Sequence, residues 1–341
     1  MPCFPRSHVL LSVALGALML SGCVATGGSG QPAVARGAFG VPLGNVESSG
    51  TSSIKGENKV VLASFRVAFN QSVKASAQSS ALFSANTASA QMKGKLLGVE
   101  PRVYQAIVDA AYADFVRKLR ASGLTVVEPT ALGSSPAYAR LSSVPNPAAL
   151  DSSTTGDVLM VAASGTKLTL FPGDAGVASG FSGFDTASPI RVFPDLIKEQ
   201  EAGVMHVTYY VDFLNASSSG RSMVKGGNAE VAMGQGLSVR TGSGISYTTL
   251  SGSRCVGYCP NAISSVKLGQ AVFSEQAYGV SKDVTDSSVN AIGFLSGVLS
   301  GQSFSRKDIE IHADPGRYSA ITTQLLADTN SALIDVVKQS R

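Results

Sequence analysis

The sequence predicts an α+β fold, a mixed sheet packed by helices, with one long β-hairpin projecting from it. Three observations lead there. Two segments carry apolar residues at helical spacing. Several short segments are apolar runs or alternate with period two, and two long segments alternate without a charge on one face. Helices and strands interspersed along one chain imply helices layered on a sheet.

Taken in order, the first element is Lys59 to Phe69, whose apolar run suits a buried strand. Residues 74 to 98 are Ala/Ser-rich and fit either a loop or a short helix. Glu100-Pro101 opens a helix, since proline is tolerated at the first helical position. Tyr104, Ile107, Val108, Ala111, Phe115 and Leu119 form its apolar stripe, and Gly123 ends it. Leu124 to Pro129 is then a short strand, completing a β-α-β unit. A Ser/Pro/Gly-rich loop separates it from the strand Asp157 to Ala163, and residues 164 to 203 read as irregular. Met205 to Asn215 alternates again and is followed by a polar turn, Asn215 to Arg221. The last helix, 315–339, has Asp314 as its cap and Pro315 at its first position. Tyr318, Ile321, Leu325, Thr329, Ala332, Leu333 and Val336 are its expected buried stripe.

The long alternating segments carry the functional expectation. From Ala229 to Thr249 the odd positions are uncharged and include Val231, Met233, Leu237, Val239, Ile245 and Tyr247. The even positions are small or polar, from Glu230 to Thr248. A second stretch puts Val266, Leu268, Val272, Tyr278 and Val280 on another uncharged face. Period two means strands, and about 20 residues at about 3.4 Å each reach near ~70 Å. About 9–11 residues suffice to cross an outer membrane as a tilted strand. A charge on a lipid face costs up to about 2–4 kcal/mol at the midplane. The named residues are therefore candidate lipid-facing positions of a hairpin, 228–283. Its edges would have to be closed by copies from neighbouring subunits, because an open sheet edge is not tolerated in lipid. A soluble hairpin with one face on a protein core gives the same alternation.

The N-terminus predicts export. The apolar run Val9 to Leu20 is shorter than the roughly 20 residues of a spanning helix and has the length of a signal-peptide core. It ends Leu20-Ser21-Gly22-Cys23, which resembles the lipobox of bacterial lipoproteins. That resemblance implies cleavage before Cys23, a diacylglyceryl thioether on its sulfur and a third acyl chain on its amine. Two or more chains anchor stably. Val24 stands where inner-membrane lipoproteins of many Gram-negative bacteria carry Asp, so the outer membrane is the expected location, with the domain facing the periplasm. The expected divisions are a signal peptide at 1–22, a Gly/Ser-rich flexible tether at 23–57 and one α/β domain at 58–341.

Composition narrows the partners. The formal charge is +4, charged residues are 15% and Trp is absent. The basic residues are scattered, so no electrostatic footprint for nucleic acid is expected. Beyond Cys3 and Cys23 the remaining cysteines are Cys255 and Cys259. In an oxidising compartment this pair predicts a disulfide, with free thiols or a metal site as alternatives. No cofactor and no metal are expected.

In element order the chain resembles the curli-secretion channel family (CsgG-like outer-membrane lipoproteins). The residues that carry the likeness are the Leu20-Ser21-Gly22-Cys23 lipobox, the strand Val60 to Phe69, and the helix-to-strand passage from Leu119 to Glu128. The strand Val207 to Leu214, the turn Asn215 to Arg221 and the long hairpin follow. In that family each subunit gives two hairpins to a shared barrel above a periplasmic α/β ring. The resemblance implies a homo-oligomer, with Thr166 to Ser188 supplying the first hairpin.

Signatures of catalysis are not in the sequence. There is no G-x-S-x-G elbow, no P-loop and no G-x-G-x-x-G motif. His206 and His312 lack partners at ligand spacing and read as structural, and Asp283/Asp286 reads as a solvated loop. A non-enzymatic role follows as the expectation. The chain is expected to be an oligomeric secretion channel or assembly platform for an extracellular or surface polymer. The alternative is a lipid-anchored periplasmic scaffold or regulator that binds another envelope protein. The expected partners are outer-membrane lipids, sister copies, and a secreted cargo or envelope protein.

Overall fold

The structure is a computed structural model that describes residues 46–80, 87–150, 156–171, 174, 186–223, 226–253, 263–274, 276–287 and 302–341. In chain order the strands begin with β1 (Val46–Ser49), β2 (Lys59–Asn70), β3 (Ser72–Ser80), β4 (Thr87–Leu97), β5 (Thr125–Val127), β6 (Ala148–Leu150) and β7 (Val158–Ala162). They continue with β8 (Gly203–Met223), β9 (Gly226–Val239), β10 (Gly244–Thr248), β11 (Ile263–Leu268), β12 (Val272–Ser274), β13 (Gly279–Asp283) and β14 (Gln302–Ala313). The helices are α1 (Pro101–Ala121), α2 (Pro136–Arg140), α3 (Pro189–Gln200), α4 (Leu250–Ser253) and α5 (Pro315–Gln339).

β2 is the axis of the larger sheet because its apolar run can be covered on both faces. All of its residues but Lys59 and Asn70 are buried. It pairs in parallel with β8 on one side; on the other, its first residues pair in parallel with β5 and its last residues antiparallel with β7. An irregularity between Leu62 and Ser64 shifts the alternation by one. Val60 and Leu62 therefore face the same core as Phe65, Val67 and Phe69. The full order is β1-β11-β10-β8-β2-β7-β6, with β9 along the outer part of β8 and β12 on β9. A second sheet runs β13-β14-β4-β3, and β14 lies parallel to β4 from Gln302↔Thr87 to His312↔Leu97.

Helices α1 and α5 pack together over one face of the large sheet, and α2 and α3 cover the other. α1 begins with Pro101 and stops before Gly123, whose φ of 91° is a left-handed conformation that suits glycine. α5 is capped by Asp314, whose carboxylate accepts from the Arg317 N–H at 2.9 Å. Both apolar stripes point into the main core. Phe65 meets Tyr112, Phe115 and Tyr209 there, with ring centroids 5.5–5.6 Å apart.

The α+β class stands, but several expected elements do not. Residues 46–57, assigned to the tether, are folded as β1 and a 3₁₀ turn, and Ile54 is fully buried. Within 74–98, the described residues form two antiparallel paired strands, β3 and β4, instead of a loop or helix. Residues 189–200, expected to be irregular, form α3. The segment Asn215 to Arg221 is not a turn: it continues β8 and pairs with β9, Asn215 opposite Gly234 and Arg221 opposite Asn228. Within Thr166 to Ser188 the described residues include a bridge of Leu168 to Val144, and the expected first hairpin falls mainly on residues 172–173 and 175–185, which lie outside the described residues.

The hairpin 228–283 is also corrected. β9 ends at Val239, the chain turns at Thr241–Gly242, where Gly242 has φ 83°, and β10 begins at Gly244. Along most of its length β9 pairs with β8. The second alternating stretch is split three ways. β11 pairs with β1 and β10, β12 with β9, and β13 with β14 in the other sheet. Among the described residues no helix is long and apolar enough to cross a membrane, which says nothing of strands.

Candidate functional site

The expected lipid-facing residues come together, but inside the protein. Leu237, Val239 and Tyr278 are fully buried, and Ile245, Tyr247, Val266, Leu268 and Val272 are 1% exposed. All eight belong to the main core, and the strands β9, β11 and β12 that carry most of them run beneath α5. This corrects the lipid-facing assignment for these eight: period-two alternation reports one-sided burial, and the cover is the chain's own helix. Val280 is 72% exposed on β13. Val231 and Met233 lie in β9 opposite Ser218 and Ala216, and their side chains are outside the described residues. Cys23, Cys255 and Cys259 are outside them too.

The opposite face of the large sheet carries a polar cluster. The central β2 run is apolar except for Ser64 and Arg66, and Arg66 is 2% exposed. An arginine is kept in such a place only when its donors are used. Nε donates to Thr208 Oγ1 at 3.0 Å and Nη1 to the Thr169 carbonyl at 2.9 Å. Nη1 and Nη2 together grip both oxygens of Asp174, which is equally buried. Asp174 also accepts the Phe171 N–H at 2.6 Å. The Phe171 ring lies 4.5 Å from the guanidinium and stacks on His206 with centroids 4.1 Å apart. Burial, then the charges of Arg66 and Lys267, push the His206 imidazole down to about 3, so it is neutral at physiological pH. With its donors occupied, the guanidinium's role is to fasten the chain from Leu168 to Asp174 onto the sheet.

A second polar knot joins the helical layer to the sheet. The Tyr209 hydroxyl donates to Asn330 Oδ1 at 2.7 Å. The Asn330 amide donates to the Ala111 carbonyl at 3.0 Å and to Asp114 Oδ2 at 2.9 Å. Burial raises the Asp114 carboxyl, but bonds from Lys118 and Asn330 outweigh it, and the net shift is downward. One asparagine thus ties α5, α1 and β8 together. A third fixture is Lys167, whose ammonium donates to the carbonyls of Tyr138, Ala139 and Leu141 at 2.7–2.9 Å, at the C-terminal end of α2.

Sequence reasoning missed Arg66, Asp174 and Asn330. The available signal was a charged residue inside an otherwise apolar strand, which demands a buried partner; Asp174 lies in a segment without periodicity. His312 is exposed on β14 and lies 3.4 Å from Glu310. Asp283 is an exposed residue at the end of β13, held below the usual carboxylate range by its bonds from Thr285. Among the described residues, no group of three His, Cys, Asp or Glu is placed to hold a metal ion. No protein-family model, no curated protein and no solved structure matches the chain.

Proposed function

We propose that the chain is a lipid-tethered envelope protein whose folded domain stands in the periplasm and acts by binding another envelope protein. The observation that supports this reading is the sealed core. Among the described residues, the uncharged face from Leu237 to Tyr278 is buried in the main core, with α5 over β9, β11 and β12, so these residues present no apolar wall to lipid. The lipobox ending at Cys23 supplies the anchor, and the Gly/Ser-rich residues after it supply reach. Internal fixtures such as Arg66–Asp174 and the Asn330 knot suit a rigid binding module. The test is the signal-cleaved chain with Cys23→Ala. It is expected to be soluble and monomeric without detergent in size-exclusion chromatography with light scattering. Insolubility, or a closed higher oligomer, would overturn the reading.

A second reading, the oligomeric secretion channel, draws on a different pair of hairpins. Ala75 to Met92 is a run of 18 residues without a charge, and it falls within β3–β4. The β8–β9 ribbon extends beyond the end of β2, from Leu214↔Gln235 to Met223↔Gly226. Strands of about 9–11 residues are long enough to cross an outer membrane. This reading expects ring-shaped particles when the acylated chain is extracted in detergent and viewed by electron microscopy. Single domains in those images would dismiss it.

A further inference from the structure

The smaller sheet has one face packed inward, and the described residues of the other are exposed or half-buried. Ala90, Met92, Leu96, Ile309 and Ile311 are buried, with β3 and β4 lying against β8 and β9. The alternate positions face out, and strand register sets them in rows. Lys282 neighbours Glu310, and Glu310 neighbours Lys95. In the next row Asp308 neighbours Lys93, and Lys93 stands directly opposite Lys74. Arg306 neighbours Gln91 in the row after that. Lys74, Lys93, Lys95 and Lys282 are exposed.

Among the described residues, five cations of these strands share this face with the carboxylates of Asp308 and Glu310, and Asp286 adds its charge near Arg306. Asp308 is already engaged by Arg306, which donates to it through Nε at 3.0 Å and Nη2 at 2.7 Å. Glu310 serves the row of Lys282 and Lys95 and lies 3.4 Å from His312. Lys74 and Lys93 place like charges directly opposite each other in the sheet. Beside the rows, Val280 is 72% exposed on the same face as Lys282. A flat cationic surface with an apolar residue at its rim fits a layer of anionic headgroups over hydrocarbon.

We propose that this face of the smaller sheet docks on anionic phospholipid headgroups and lays the domain against the membrane. The proposal rests on the tethered reading for delivery. Between Cys23 and β1 lie residues 24–45, whose covalent length allows a separation of at most about 75 Å. An anchor on Cys23 therefore keeps the face within reach of headgroups, where each nearby lysine or arginine adds attraction.

The test uses the signal-cleaved Cys23→Ala chain, which has no acyl group, and sedimentation with vesicles. One set is phosphatidylcholine alone and the other contains added phosphatidylglycerol. Binding is expected only to the second set, and it should weaken as salt is raised. Lys93→Gln, Lys95→Gln and Lys282→Gln should each lower partitioning about fivefold, the factor that corresponds to about 1 kcal/mol per charge. Their thermal midpoints should stay that of the parent, since all three side chains are exposed. A control pair on other surfaces, Lys55→Gln/Lys198→Gln, should bind like the parent. Equal binding to both vesicle sets, no binding to either, or equal losses in the control would overturn the proposal. Fractionation of the acylated chain reads the anchor separately, so the two ideas fail by different results.

Discussion

Arg66 on β2 holds Asp174 through both carboxylate oxygens, and each side chain is 2% exposed. The pair closes the α3 side of the sheet with a charge-to-charge contact where hydrophobic packing would ordinarily serve. Removing one partner leaves the other charge buried alone. Asp174→Ala is expected to cost about 3–5 kcal/mol, and Arg66→Met/Asp174→Leu should recover most of it. Urea unfolding of the signal-cleaved Cys23→Ala chain measures both. A loss below about 1 kcal/mol in the single variant would mean that the contact contributes little.

Asn330 satisfies three groups at once, from Tyr209, Ala111 and Asp114. Asn330→Leu keeps the volume similar but strands a tyrosine hydroxyl and removes a donor from a carboxylate. The expected loss is about 2–4 kcal/mol, against about 1–2 kcal/mol for Tyr209→Phe. Chemical denaturation of the two variants side by side checks the ranking.

His206 gives the fold a pH slope. Its folded pKa is about 3, below the ordinary value of 6.5. Below 6.5 the unfolded chain takes up a proton that the folded chain refuses until about pH 3, so stability drops as pH falls through that window. Between pH 6.5 and 5, a range above the ordinary carboxylate pKa values, the contribution is about 2 kcal/mol. His206→Gln should flatten this part of the profile. Unfolding curves at stepped pH that remain parallel for parent and variant would contradict it.

Ile245 separates a protein core from a lipid face. It is 1% exposed and belongs to the main hydrophobic core. Ile245→Ala should lower stability by about 2–5 kcal/mol in the chain without acyl groups, in plain buffer. A residue waiting for lipid would show almost no loss there, so a calorimetric midpoint equal to that of the parent would reopen the membrane assignment.

The elements with a strong period were legible, and their partners were not. The α1 stripe from Tyr104 to Leu119 and the α5 cap at Asp314 are where helical spacing and capping chemistry place them. β2 was recognisable from its apolar run. The β3–β4 hairpin was not, because alanine and serine alternate with too little contrast to mark a buried face. The 229–249 run concealed a chain reversal, since the odd positions stay uncharged on both sides of Gly242. Asn215 to Arg221 has turn composition, but cross-strand pairing with 228–234 overrides that local preference. The Arg66–Asp174 contact joins two segments far apart in sequence, and no local pattern in the loop announces its acid.

The parallel alignment of β4 with β14 also sets an order of events. The strand from Thr87 to Leu97 cannot acquire that neighbour until Gln302 to Ala313 has been made. A chain that emerges N-terminus first therefore exposes β3 and β4 with one margin vacant, and closing so large a loop is slow. Through that interval an unpaired strand margin is open to stray pairing. Yield on expression should therefore depend on holding factors and temperature more than on the final stability of the domain.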